Sequence, residues 1–171
     1  MVSRFHARLP YFLLVVLTLL LDRWTKSLVQ SRLLLNSAIP VIDGFLNITY
    51  VRNTGVAFGI FTSISSPAKS VLLSLFTALA ATFVVIYSVR SPVRNRRLQV
   101  ALSLILGGAL GNLYDRISSG SVVDFIEIYF RDYQWPSFNV ADSAICLGVV
   151  LLGYEIFRSE ATETAPNPRD A

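Results

Sequence analysis

The sequence predicts a membrane-embedded α-helical fold: four transmembrane helices carrying a small strand-containing platform on the outer side of the bilayer. Three observations predict it. Only 15% of the 171 residues are charged, against roughly 25% in an ordinary soluble domain. Mean hydropathy is +0.56. The charges also leave long gaps: Ser70–Val89 runs twenty residues without one, Leu98–Tyr114 seventeen, Leu9–Leu21 thirteen and Ser143–Tyr154 twelve. A bilayer core about 30 Å thick takes about 20 residues of helix. Disorder is excluded and a soluble globule disfavoured. One Cys and one His, His6, leave no disulfide framework within the chain, no zinc-site arithmetic and little room for Ser-His-Asp or Cys-His chemistry. Any reaction must use carboxylates, amides, hydroxyls and arginine.

The first helix is placed near 9–29, its apolar character passing Asp22. Arg4 and Arg8 precede it as in a signal peptide, but Leu21-Asp22-Arg23-Trp24 follows in place of a small-x-small cleavage site, so the run reads as a retained helix. Ser66-Pro67 reads as an N-cap and first helical position for a second helix near 67–89. The third and fourth are placed near 98–117 and 139–158. Arg90, Arg94, Arg96 and Arg97 crowd the connection between helices two and three with no acid among them. That bias puts this loop and both termini in the cytoplasm, and segments 30–66 and 118–138 outside. The net charge of +4 then reflects topology and lipid contact, and no nucleic-acid surface is read from it. Asp43-Gly44 followed by Phe45–Val51, and the β-branched and aromatic Val122–Phe130, supply the platform strands. Residues 1–158 form a single membrane-embedded domain, and 159–171 read as a fraying cytoplasmic tail.

Ionisable side chains at helix ends need individual readings, because a charge in hydrocarbon is costly. Asp22 and Lys26, four apart, can pair on one helix face, either as a structural ion pair or as a brace for a nearby site. Asn53-Thr54-Gly55-Val56-Ala57-Phe58-Gly59 is either an ordinary turn or a loop presenting amides to a peptide carbonyl. Gly107-Gly108-Ala109-Leu110-Gly111 offers a small-residue face for close helix packing, and Asn112, Asp115 and Arg116 follow at spacings that share a face. Asp124 falls in the strand-like stretch on the side of Ile126 and Ile128. It is either an edge-protecting charge or a carboxyl held in a dry site with a raised pKa. Asn139 reads as the cap of the last helix with Asp142 three residues on, where a carboxylate is favourable to the helix dipole. Two carboxyls in contrasting settings near one membrane surface suit a two-aspartate hydrolase. One takes a proton from water while the other, protonated, polarises the scissile carbonyl, and no metal or cofactor is required.

The runs Asp22-Arg23-Trp24-Thr25-Lys26, Asn53-Thr54-Gly55-Val56-Ala57-Phe58, Gly107–Arg116, Val122-Val123-Asp124-Phe125 and Phe138–Ile145, in that order, resemble bacterial lipoprotein signal peptidase (signal peptidase II) over about residues 9–158. The resemblance implies an aspartic endopeptidase of the bacterial inner membrane, the target of globomycin. It would remove the signal peptide of a prolipoprotein just before a Cys that carries diacylglycerol. Asp124 and Asp142 match the family's catalytic dyad, and Asn112 and Asn139 match polar residues that orient it. Arg116 matches a residue that holds the substrate backbone, and Asn53 and Gly55 a loop beside the cleavage site. Asp22, Lys26 and Asp115 match supporting positions. The expected partners are the prolipoprotein and membrane lipid, and a monomer is expected. A transporter or proton relay built on Asp22, Lys26, Asp115 and Arg116 is disfavoured, because no run carries an ionisable group near its middle. A non-catalytic lipid-binding factor would tolerate loss of either Asp124 or Asp142. A presenilin-like protease lacks its Gly-x-Gly-Asp signature here.

Overall fold

The computed structural model describes residues 2–55, 67–131 and 133–163. Four long helices and one antiparallel sheet alternate along the chain: α1 (Val2–Arg32), β1 (Ala38–Ile42), β2 (Leu46–Asn53), α2 (Pro67–Arg90), α3 (Arg96–Ser119), β3 (Val122–Phe130), β4 (Tyr133–Phe138) and α4 (Val140–Glu163). The helices contain the first three runs expected from hydropathy and all of the fourth but Asn139, which caps α4, and they extend beyond them because backbone hydrogen bonding continues into polar residues. α4 in particular continues to Glu163, into the segment expected to fray. The Ser66 cap, the stretch Val56–Gly59 and residues 164–171 lie outside the described residues.

Among the described residues, two helices, α2 over Lys69–Arg90 and α4 over Val140–Arg158, are long and apolar enough to cross a membrane. α2 presents Leu72, Phe76, Leu79 and Phe83 outward, each at least 65% exposed. Exposed at helical spacing among the described residues, a stripe of that size suits lipid.

α3 is the hub, packing against α1, α2 and α4. Its small-residue run makes this possible, as expected. A Cβ on Gly108 would lie 2.3 Å from the Ala141 carbonyl oxygen, and one on Gly107 would lie 2.7 Å from Thr18 Cβ. These glycines let the backbones approach where no side chain fits. Asn95 caps α3 by accepting from Leu98 N at 3.2 Å, and Gly120, at φ +72°, ends it in a left-handed cap. At the same end as Asn95, Arg8 donates to the Ser88 and Val89 carbonyls, closing the end of α2. The fully buried Gln99 exchanges hydrogen bonds with Ser88 there.

The sheet runs β1-β2-β3-β4, every pair antiparallel. β3 spans the residues its composition marks out. The sequence signals no strand at β1 or β4: they carry Pro40 and Pro136, and proline depresses a strand reading yet is tolerated at an edge, where its missing N–H costs no ladder bond. Val29 of α1 joins Tyr50, Val123 and Phe125 in a buried cluster flanked by Ile126 and Val140, which seats the sheet on the ends of α1 and α4. Burying one such Phe or Val contributes about 1.5–3 kcal/mol. β3 is an inner strand, so Asp124 guards no edge.

Gly108→Ala should lower the thermal unfolding midpoint in detergent, since Ala141 backbone would have to move. Gly153→Ala, whose added Cβ meets nothing within 4 Å, should leave it unchanged or raise it.

Candidate active site

The site grows from a lysine in an unusual place. Asp22 and Lys26 lie one turn apart on α1, and both are 0% exposed. Lys26 Nζ meets three acceptors: Asp22 Oδ2 at 2.8 Å, Asp115 Oδ2 at 2.8 Å and Asn112 Oδ1 at 2.9 Å. An ammonium has three donors and no acceptor, so this shell is complete. Asp115 also accepts from Arg23 Nη1 and, at 3.3 Å, from Val123 N at the start of β3. Asp22 Oδ1 accepts from Ala141 N at 3.0 Å, in the first turn of α4. Gly111 makes room for Asp22, whose Oδ2 would lie 2.6 Å from any Cβ there. The pair expected from spacing is therefore formed, and it ties α1 to α3, β3 and α4.

The lysine sets the next layer. Because Asn112 Oδ1 accepts from Lys26, its amide nitrogen faces the other way and donates to Asp142 Oδ1 at 2.8 Å. Asn139 and Asp142 cap α4 reciprocally: Asp142 N donates to Asn139 Oδ1 at 2.9 Å, and Asn139 N donates to Asp142 Oδ2 at 3.2 Å. This is a capping box with Asp in the usual Glu place. Asn139 Nδ2 then reaches Asp124 Oδ1 at 2.6 Å, Val123 O at 3.1 Å and Asn112 Oδ1 at 3.3 Å. The other Asp124 oxygen accepts from Asn53 Nδ2 at 2.9 Å.

All ten residues singled out from the sequence fall within this assembly. Asn53, Asn112, Arg116, Asp124 and Asp142 line one cavity of about 310 Å³, closed on another side by Trp135–Phe138 of β4. Gly55 lies just behind. Its N–H donates to Asn53 Oδ1 at 2.8 Å and its carbonyl accepts from Arg116 at 3.4 Å. The Gly55 amide is thus taken up inside an Asx turn; the rest of the loop to which the amide-presenting reading refers, Val56–Gly59, lies outside the described residues.

Burial is the first cause that pushes the Asp124 carboxyl up from its ordinary 3.8 to about 7, and the Asp142 carboxyl nearby is the second. Hydrogen bonds from Asn53 and Asn139 oppose the rise without cancelling it. Two members of the site were not singled out. Arg23 pairs with Asp115 and stacks over the Tyr114 ring at 4.4 Å, and β4 supplies a wall from a segment without a motif. Arg23 adjoins Asp22 in the chain, but its partner is 92 residues away, so no local spacing could reveal the pair.

The Signal peptidase (SPase) II family model matches residues 14–158. The chain belongs to the signal peptidase II family. It is similar to the lipoprotein signal peptidase of Syntrophus aciditrophicus (strain SB), 41% identical over 144 residues that cover 84% of this chain and 89% of the relative. It is also similar to that of Geobacter sulfurreducens, 44% identical over 143 residues covering 84% and 88%. Its fold is similar to that of a bacterial membrane enzyme solved by the in meso method, with a TM-score of 0.82 and 32% identity across 92% of this chain and 93% of that one. The family activity is proteolytic: removal of the signal peptide from prolipoproteins in the maturation of lipoproteins. The chain is accordingly a membrane protein and a protease.

Lys26→Met should destabilise the folded peptidase by about 3–5 kcal/mol, because Asp22 is left as a buried charge without its counter-ion. Chemical unfolding in detergent measures this, and adding Asp22→Asn to the same protein should recover part of the loss.

Proposed function

We propose that Asp124 and Asp142 form a water-activating dyad that cuts the prolipoprotein immediately before its diacylglyceryl-bearing Cys. One observation carries the reading: the two carboxyls line one cavity from different elements, one on an inner strand and one in the first turn of a helix, and are joined through the Asn139 and Asn112 amides. Asp142 occupies the first turn of α4, where the positive end of the helix dipole and two N–H donors favour a carboxylate. Asp124 sits on an inner strand, only 2% exposed and away from any helix N-terminus of its own, and holds the proton the pair shares.

In this mechanism Asp142 removes a proton from a water lying between the carboxyls. The resulting hydroxide bonds to the scissile carbonyl carbon as Asp124 donates its proton to the carbonyl oxygen. The gem-diol then collapses. Asp142 returns its proton to the departing nitrogen, the C–N bond breaks, and Asp124 recovers a proton from the diol hydroxyl. The products are a signal peptide with a new carboxyl terminus and a lipoprotein whose lipidated Cys carries a free amine. Arg116, on the cavity wall beside the Gly55 carbonyl, holds the substrate backbone by donating to its carbonyls.

All four helices cross the bacterial inner membrane, both termini lie in the cytoplasm, and the dyad stands near the outer face. Residues 1–158 act as one domain and as a monomer. The arginines of the α2–α3 connection support this sidedness, and the outward apolar stripe of α2 supports lateral contact with lipid and with the apolar signal helix. The lipid on the Cys keeps the scissile bond at the membrane interface, where Asp142 opens the membrane-length stretch of α4.

Asp124→Asn and Asp142→Asn should each lower cleavage of a diacylglyceryl-modified precursor by about a thousandfold, with circular dichroism and detergent stability retained. Substantial turnover by either variant would refute the dyad. An unmodified precursor should remain intact, and globomycin should block cleavage of the modified one.

The pH dependence has a definite sign. Asp124 binds its proton more tightly when folded, so its contribution to stability is complete below about pH 4 and is lost as pH rises through about 7. Cleavage should fall on the alkaline side with an apparent pKa near that value. The same limb should appear in the unfolding free energy of the wild type and be flattened in Asp124→Asn.

A further inference from the structure

The end of the bundle opposite the dyad holds a second pocket that the peptidase reaction does not use. It has a volume of about 400 Å³ and is lined by Arg94, Asn95, Arg96, Arg97, Glu155 and Arg158. We propose that this pocket binds the phosphate of an anionic phospholipid, with phosphatidylglycerol as the representative headgroup.

Charge is the first ground. Among the described residues, four guanidiniums and one carboxylate line it: Glu155 Oε1 accepts from Asn95 Nδ2 at 3.0 Å, while Oε2 has no hydrogen-bond partner and is approached by Arg158 Nε at 3.9 Å, so three guanidiniums exceed the one acid. Asn95 is held in turn by capping α3, so the floor of the pocket is rigid. Clustered cations repel one another unless an anion sits among them, and planar guanidiniums match phosphate oxygens in bidentate fashion.

Position is the second. The two membrane-length stretches end at Arg90 and Arg158, so the pocket lies at the level where lipid phosphates lie; this step rests on α2 and α4 crossing the bilayer. The third is continuity with an apolar wall. Val150, Tyr154 and Phe157 form an exposed stripe on α4, 68%, 54% and 74% exposed, suited to acyl chains running from the pocket into the membrane. Tyr154 joins the two parts, because Arg97 stacks on its ring at 5.9 Å.

The test titrates the full-length protein in neutral detergent with phosphatidylglycerol, phosphatidylcholine of matched chains, or glycerol 3-phosphate, reading the thermal unfolding midpoint. A saturable rise with phosphatidylglycerol alone is expected. The Arg94→Gln/Arg97→Gln variant should need roughly thirtyfold more lipid, about fivefold per arginine. An equal rise with phosphatidylcholine, or an unaltered titration in the variant, overturns the proposal. An equal rise with glycerol 3-phosphate overturns its assignment to lipid. The variant should cleave prolipoprotein at the wild-type rate in phosphatidylcholine micelles, which separates loss of this site from failure of the dyad. Should the double variant not fold, Arg94→Gln alone decides: roughly fivefold weaker lipid binding supports the site, and an unchanged titration overturns it.

Discussion

A fully buried ammonium is the constraint on which the rest of this molecule depends. An ion of that size cannot remain charged among apolar side chains unless each donor meets an oxygen. Lys26 meets this condition with Asp22 from its own helix and with Asp115 and Asn112 from α3. Each oxygen brings an obligation of its own. Asp22 also takes the Ala141 amide and fixes the start of α4. Asp115 takes the Val123 amide and fixes the start of β3. The neutralising shell of one lysine is thereby also the frame that sets three elements at one end of the bundle.

The same frame fixes the orientation of the amides. An asparagine side chain can point either way, and which end faces a carboxylate decides whether it donates or repels. With Lys26 on the oxygen of Asn112, its nitrogen must face Asp142, and the Asn139 nitrogen turns to Asp124. The two aspartates are thus held by donors whose direction originates on α1. Close helix approach is a precondition, since a side chain at Gly108 or Gly111 would strike Ala141 backbone or Asp22 itself. The polar frame and the glycine seam are two parts of one packing solution.

The two ends of the bundle use charge differently. Near the dyad, acids and amides converge inward and are buried. At the other end, arginines fan outward from Asn95 and Glu155 and remain accessible. The first arrangement requires desolvation to shift a carboxyl, whereas the second suits exchange with an anion at the membrane surface.

Much of this was legible along the chain, for identifiable reasons. Hydropathy recurs over lengths set by bilayer thickness, so all four helices are visible, and β-branched and aromatic residues mark Val122–Phe130 as a strand. Asp22 and Lys26 reveal their pairing because a helix places residues four apart side by side. Asn139 and Asp142 reveal their cap for the same local reason. All ten residues that the motifs marked fall in one assembly. The short edge strands were hidden by Pro40 and Pro136, and the part played by Arg23 was hidden by the 92 residues between it and Asp115.

What the sequence determined by itself was whatever repeats or pairs within a turn or two: the helices, the inner strands, the cap, and the absence of histidine and cysteine chemistry. Only the tertiary structure decided the state of Asp124. Its neighbours in the chain permit either an exposed edge charge or a buried acid. β2 and β4 pair on both sides of its strand, and Asn53 and Asn139 close on its carboxyl from other elements. Burial and the nearness of a second carboxyl are properties of three-dimensional distance, and spacing along the chain carries no record of them.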